Sequence, residues 1–221
     1  MLKIVVFDGG YGGEFFADQL KSELPIVEII RVINWRNADK LLNSPKDARK
    51  IAVDSLRPYI GKVDLIIFAN YLLSVTSLGY FKRKYKNQQF LGLDLKEPDT
   101  FIKNDTLILS TKALSKTFKY RYFVLNLRRN VKTIILDSWP NKIDDGELTK
   151  DEIQNTINHC LIKANFHPKE IILTCSQFHD IKSELKELFG YNTRIYDGFD
   201  DALKKVHKTL GIRGGTGKKS K

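Results

Sequence analysis

Short apolar runs alternate with segments of helical periodicity along nearly the whole chain, and this alternation restricts the fold more than any other feature. The runs are Lys3 to Phe7, Val27 to Ile33, Leu65 to Phe68, Gln89 to Leu93, Thr106 to Ser110, Val131 to Leu136, Glu170 to Leu173 and Thr193 to Tyr196. Brief runs bounded by polar residues read as strands buried on both faces. Strands alternating with helices argue for parallel sheets joined by right-handed crossovers. The second half repeats the plan of the first. The expected fold class is therefore α/β, with two pseudo-symmetric flavodoxin-like halves, each a short parallel sheet flanked by helices. The site is expected in the cleft between them. The first domain is placed at residues 1–94 plus 196–212 and the second at 95–195, and the basic Gly/Lys tail 213–221 is expected to be disordered.

The segments between the runs carry their own signals. Glu14 to Leu24 has Phe16, Leu20 and Leu24 at helical spacing before Pro25. Asn34 to Asn43 reads as a loop, and Ser44-Pro45 caps and starts a helix reaching about Tyr59. Further helices are expected over Val75 to Tyr85, Thr111 to Tyr120, Ile181 to Phe189 and Asp200 to Leu210. Thr149 and Glu152 form a capping box that opens a helix reaching Ala164, with Cys160 packed on its apolar side.

Ligand sites in open α/β sheets lie beyond the carboxyl ends of the strands, which directs attention to three strand ends. The first gives Asp8 and the glycine-rich turn Gly9-Gly10-Tyr11-Gly12-Gly13, the second Ala69-Asn70-Tyr71, and the third Cys175-Ser176-Gln177. A turn of that kind before a helix cradles a carboxylate or phosphate on backbone N–H groups, and it also serves as a plain tight connection. It is not the dinucleotide fingerprint, because Phe15 stands where glycine is required. Cys175 fits two readings at its position, a buried structural thiol or a reactive one. Gly217-Lys218 lacks the flanking residues of a phosphate loop.

A chain of 221 residues with 42% hydrophobic and 29% charged residues is a globular protein rather than a disordered one. The net charge of +11 would suit nucleic acid, an anionic surface or acidic small substrates. The cations are spread along the chain without an RNA-binding signature, so nucleic acid is not the favoured partner. Two cysteines make no disulfide framework, and no apolar run reaches membrane-spanning length. A cytoplasmic protein without a membrane partner is expected. His159, His167, His179 and His207 show no ligand spacing, so no metal and no organic cofactor is expected.

Phe7-Asp8-Gly9-Gly10-Tyr11-Gly12-Gly13 resembles the opening strand and turn of the glutamate racemases. Asp64 to Asn70 resembles the strand of their first catalytic cysteine, Ile172 to Phe178 that of the second, and Trp139 to Leu148 their Pro-to-Gly-Glu loop. Thr111 lies where the family has a threonine. The ordered set spans nearly the whole chain to about Leu210 and is similar to the aspartate/glutamate racemase superfamily. The resemblance implies cofactor-independent proton exchange at Cα between two thiols. It places Asp8 as the carboxylate working with the first thiol and Cys175 as the second thiol. It places Gly9, Gly10, Asn70, Tyr71, Thr111, Ser176 and Gln177 against a small acidic substrate such as glutamate or aspartate. A homodimer is expected by analogy alone.

The departures from the family are as informative. Ala69 stands at the first thiol position, Tyr71 replaces a threonine, Gln177 replaces the histidine that partners the second thiol, and Gly9 replaces a serine. A shift of alignment would offer His179 in place of the missing histidine. A methyl group exchanges no proton, so Asp8, Tyr71 or water has to supply the second acid/base of a racemase. Three functions follow. The first is a divergent glutamate or aspartate racemase acting through Cys175. The second is a one-thiol decarboxylase or isomerase that protonates one face, and the third is a non-catalytic descendant binding an acidic ligand or a partner.

Overall fold

The eight apolar runs pair as two separate parallel sheets in a computed structural model, which describes residues 1–96, 105–127, 129–162 and 166–212. In the first sheet β1 (Lys3–Asp8), β2 (Glu28–Ile33), β3 (Leu65–Phe68) and β4 (Gln89–Gly92) take the order β2-β1-β3-β4. In the second, β5 (Thr106–Ser110), β6 (Val131–Ile135), β7 (Glu170–Leu173) and β8 (Arg194–Tyr196) take the order β6-β5-β7-β8. The two halves therefore share one topology, as the repeated pattern implied. Registers such as Val6 opposite Ile67 and Ile108 opposite Ile172 align the carboxyl ends of the paired central strands. Helices cover both faces, which is why β3, β5 and β7 are buried at every residue and read as continuous runs.

The helices are α1 (Tyr11–Glu23), α2 (Ala38–Asn43), α3 (Pro45–Leu56), α4 (Tyr71–Lys84), α5 (Lys112–Ser115), α6 (Phe118–Asn126), α7 (Trp139–Asp144), α8 (Lys150–Ile162), α9 (Lys182–Phe189) and α10 (Phe199–Leu210). Ser44 caps α3 by accepting from Asp47 N, with Pro45 in the first turn, as its sequence requires. One apolar core joins Ile4, Val6 and Phe16 of the first half to Ile108 and Ile172 of the second. Phe199 and Val206 of α10 pack into the same core. Cys160 packs, partly buried, against the core of the second half. Among the described residues no helix is long and apolar enough to cross a membrane.

Several expectations are corrected. Helix α1 starts at Tyr11 rather than Glu14, so Gly12 lies inside it rather than in a turn. A Cβ on Gly12 would sit 2.3 Å from the Ser176 Cβ, so this glycine allows close approach of the two halves. Helix α4 starts at Tyr71 rather than Val75, because Asn70 accepts from Leu73 N and caps it. The expected loop over Asn34 to Asn43 holds a 3-10 turn (Trp35–Asn37) and α2, which buries Leu41 and Leu42. The single helix expected over Thr111 to Tyr120 divides into α5 and α6, with Thr117 capping the second. The Trp139 to Leu148 loop contains α7. Only half of the capping box forms: Thr149 Oγ1 accepts from Glu152 N at 3.2 Å, while the Glu152 carboxylate pairs with Lys142. The expected tail 213–221 and the junction near 97–104 lie outside the described residues.

Candidate functional site

Strand β1 ends on Asp8, whose side chain is fully buried. Its carboxylate accepts from Gly9 N at 2.7 Å, Asn70 Nδ2 at 3.1 Å and Ser176 Oγ at 2.8 Å. All three donors are neutral. Burial raises the Asp8 carboxyl to about 7, against the pull of these hydrogen bonds and with a small push from Asp144. The group is thus divided between acid and base near neutral pH, the condition that suits proton transfer.

Asn70 reaches this carboxylate because it follows β3, the neighbour of β1, and its amide has two duties. Oδ1 caps α4 while Nδ2 binds Asp8, so the amide orientation is fixed from both ends. Tyr71 is also buried, but its hydroxyl donates to the Asp197 carbonyl at 2.8 Å. Burial holds its phenol well above the ordinary value, with Tyr196 and Asp197 adding to the effect. Tyr71 is a protonated structural donor here rather than a free acid/base.

The strand β7 leads to Cys175, Ser176 and Gln177, the last two on a 3-10 turn (Ser176–His179) that packs beside α1. Cys175 is buried, and its thiol donates to Gln177 Oε1 at 3.0 Å. Burial pushes the thiol up and the charge of Asp8 pushes it further, so the sulfur is held protonated. Gln177 therefore orients the thiol without ionising it. His179 does not substitute for a missing partner. Its Nδ1 pairs with Asp197, and its ring stacks on Phe199 at 5.1 Å. Burial pushes the Asp197 carboxyl up, but His179 and Lys182 outweigh it and hold it below the ordinary value.

The glycine-rich turn does hold a carboxylate, and it belongs to the chain itself. Asp144, the last residue of α7, accepts from Tyr11 N at 2.9 Å at the start of α1. Its other oxygen accepts from Gln177 Nε2 at 3.3 Å. A Cβ on Gly10 would lie 2.1 Å from that carboxylate, so only glycine leaves the seat open. Asp144 is raised by burial against these two hydrogen bonds, with Asp145 and Asp180 adding.

Leu42, Asn70, Tyr71, Leu72, Thr111, Thr174, Cys175 and Ser176 enclose a cavity of about 10 Å³ between the halves. That is room for one water. The cavity thus gathers Asn70, Tyr71, Thr111, Cys175 and Ser176, while Asp8 and Gln177 are bonded directly to this set. Gly9 supplies its N–H to Asp8, and Gly10 faces Asp144. Ala69 is fully buried in the apolar core and is not among the residues lining the cavity. Sequence reasoning did not single out Leu42, Thr174 or, above all, Asp144, although Asp144 lies inside the Trp139 to Leu148 stretch that resembles the racemase loop. Among the described residues no group of three His, Cys, Asp or Glu side chains is placed to hold a metal ion.

The chain is 21% identical to glutamate racemase of Campylobacter concisus, across 96% of this chain and 84% of that protein. Its structure matches Escherichia coli glutamate racemase, solved with L-glutamate and the activator UDP-MurNAc-ala. There the TM-score is 0.81 at 16% identity, over 97% of this chain and 84% of that one. Against Picrophilus torridus aspartate racemase the TM-score is 0.63 at 15% identity, over 97% and 95% of the two chains. No family model matches the chain. The resemblance to the aspartate/glutamate racemase superfamily thus extends over nearly the whole chain, and the fold is the two-sheet α/β fold of these racemases.

Proposed function

We propose that this protein is a divergent, cofactor-independent enzyme of the racemase type that binds glutamate or aspartate and exchanges the Cα proton through Cys175. The observation that carries the reading is the buried set of Asp8, Asn70, Cys175 and Ser176, drawn from three strand ends into one site between the halves. As an ionised base, Asp8 takes the Cα proton. The protonated thiol of Cys175 gives its own proton to the resulting carbanion, and solvent then restores both groups. Asn70, Thr111 and the N–H of Tyr11 supply the donors for an acidic substrate that finds no cation among them. Asp144 leaves Tyr11 N when the substrate carboxylate arrives.

A second reading, a binding protein that performs no turnover, is supported by Ala69, whose methyl group exchanges no proton, and by Asp144 seated in the glycine turn. Incubation with L- and D-glutamate and L- and D-aspartate in D₂O separates the two. Cα–H exchange followed by NMR supports the enzyme, and chiral chromatography then distinguishes inversion from one-faced exchange. Saturable binding with no exchange of any of the four supports the binding protein and overturns the first reading.

A further inference from the structure

Helix α6 is apolar on both sides, a property of helices that are covered all round. Tyr120 and Phe123 turn inward and are buried, yet Phe118, Tyr122 and Leu125 on the outside are 81%, 61% and 77% exposed. The two outer rings stack on each other with centroids 6.2 Å apart. Beside them runs a groove of about 400 Å³, lined by Phe118, Tyr122 and Phe123, by Val75 and Leu78 of α4, by Leu93, and by Asp94, whose carboxylate is paired with Lys205. A volume of that size accepts a large side chain or a small molecule. Contiguous exposed apolar surface of this kind marks an interaction site.

Charge identifies the partner. From Thr106 to Leu136 the chain contains no Asp or Glu. Lys116, Lys119 and Arg121 are exposed around the stripe, and no acidic side chain pairs with any of the three among the described residues. A second copy of the chain would bring the same cations against them. A flat bilayer would cover the projecting rings but leave the concave groove unfilled. We infer that the α4–α6 groove docks an acidic amphipathic helix of another protein. Its apolar residues at i, i+4 and i+7 match the stripe of Phe118, Tyr122 and Leu125, and its carboxylates meet Lys116, Lys119 and Arg121. Aromatic anchors beside basic residues are the composition that concentrates binding energy at such contacts.

The test uses the full chain and a panel of fluorescent helical peptides with Leu or Phe at i, i+4 and i+7 and Glu at the flanking positions. Charge-reversed Lys peptides, phosphatidylglycerol vesicles and oligodeoxythymidine are run beside them. Two exposed double variants, F118S/Y122S and K119E/R121E, are first checked for unchanged melting. The acidic peptides bind saturably in the micromolar range, each double variant weakens them by about tenfold or more, and the Lys peptides do not bind. No saturable binding up to about 1 mM overturns the proposal, as does binding that ignores both variants. Loss of vesicle or oligonucleotide binding in the variants, without peptide binding, assigns the surface to lipid or nucleic acid and also overturns it.

Discussion

Ser176 and Asp8 are 168 positions apart in sequence, and the Ser176 hydroxyl donates to Asp8 Oδ2 at 2.8 Å in a fully buried setting. This bond ties the end of β7 in one sheet to the end of β1 in the other. It stands on Gly12, which lets α1 press against Ser176. The geometry of the candidate site thus depends on contacts between halves rather than on either half alone.

Gly12→Ala tests that dependence. The added methyl would fall 2.3 Å from the Ser176 Cβ, so the halves must move apart or the helix must shift. Overpacking of this kind costs about 1–3 kcal/mol, and a urea titration should show the loss as a lower midpoint with an unchanged slope. An unchanged midpoint would mean that the halves are not pressed together there.

Asp8 makes stability depend on pH in a set direction. The folded carboxyl is raised from 3.8 to about 7, so the unfolded chain loses this proton first as pH rises. The contribution is fully present below about pH 4 and is lost between about pH 4 and 7, on the order of 4 kcal/mol at most. Asp8→Asn should flatten that part of the profile measured by chemical unfolding. Equal slopes for the two proteins between those pH values would contradict the assignment.

The two cysteines should differ sharply towards a thiol reagent. Cys160 is partly exposed, whereas Cys175 is buried and held protonated by burial and by Asp8. At neutral pH Cys160 should react first and Cys175 more than about tenfold slower, resolved by mass spectrometry of labelled peptides. Faster labelling of Cys175 would show an ionised or open thiol instead.

Asp144→Ala should open the glycine turn. Removing the carboxylate frees Tyr11 N, which Asp144 now occupies at 2.9 Å. A hydrogen bond to a charged group is worth about 1.5–3 kcal/mol, so glutamate should bind about tenfold tighter or more by calorimetry. Weaker binding would show that Asp144 supports the ligand rather than competing with it.

Much of the architecture could be read before folding because β3, β5 and β7 are covered on both faces and so appear as unbroken apolar runs. Their ends then point to Asn70 and Cys175 directly, and the end of β1 to Asp8. Gly12 was less legible. Glycine near a strand end reads as a turn, and its partner Ser176 is supplied by a distant part of the chain. Asp144 was hidden for the same reason, since its partners Tyr11 and Gln177 come from both halves. The break between α5 and α6 was missed because apolar residues on both sides of α6 blur its periodicity, which also conceals that its outer side is exposed.

The most direct test of the central claim is deuterium incorporation at Cα of glutamate and aspartate, with the wild type and Cys175→Ser compared at matched folded concentration. Incorporation by the wild type is expected, with a loss of about 10² or more in the variant and a melting temperature nearly unchanged. Incorporation that survives Cys175→Ser, or its absence from a wild type shown to bind these amino acids, would contradict that claim.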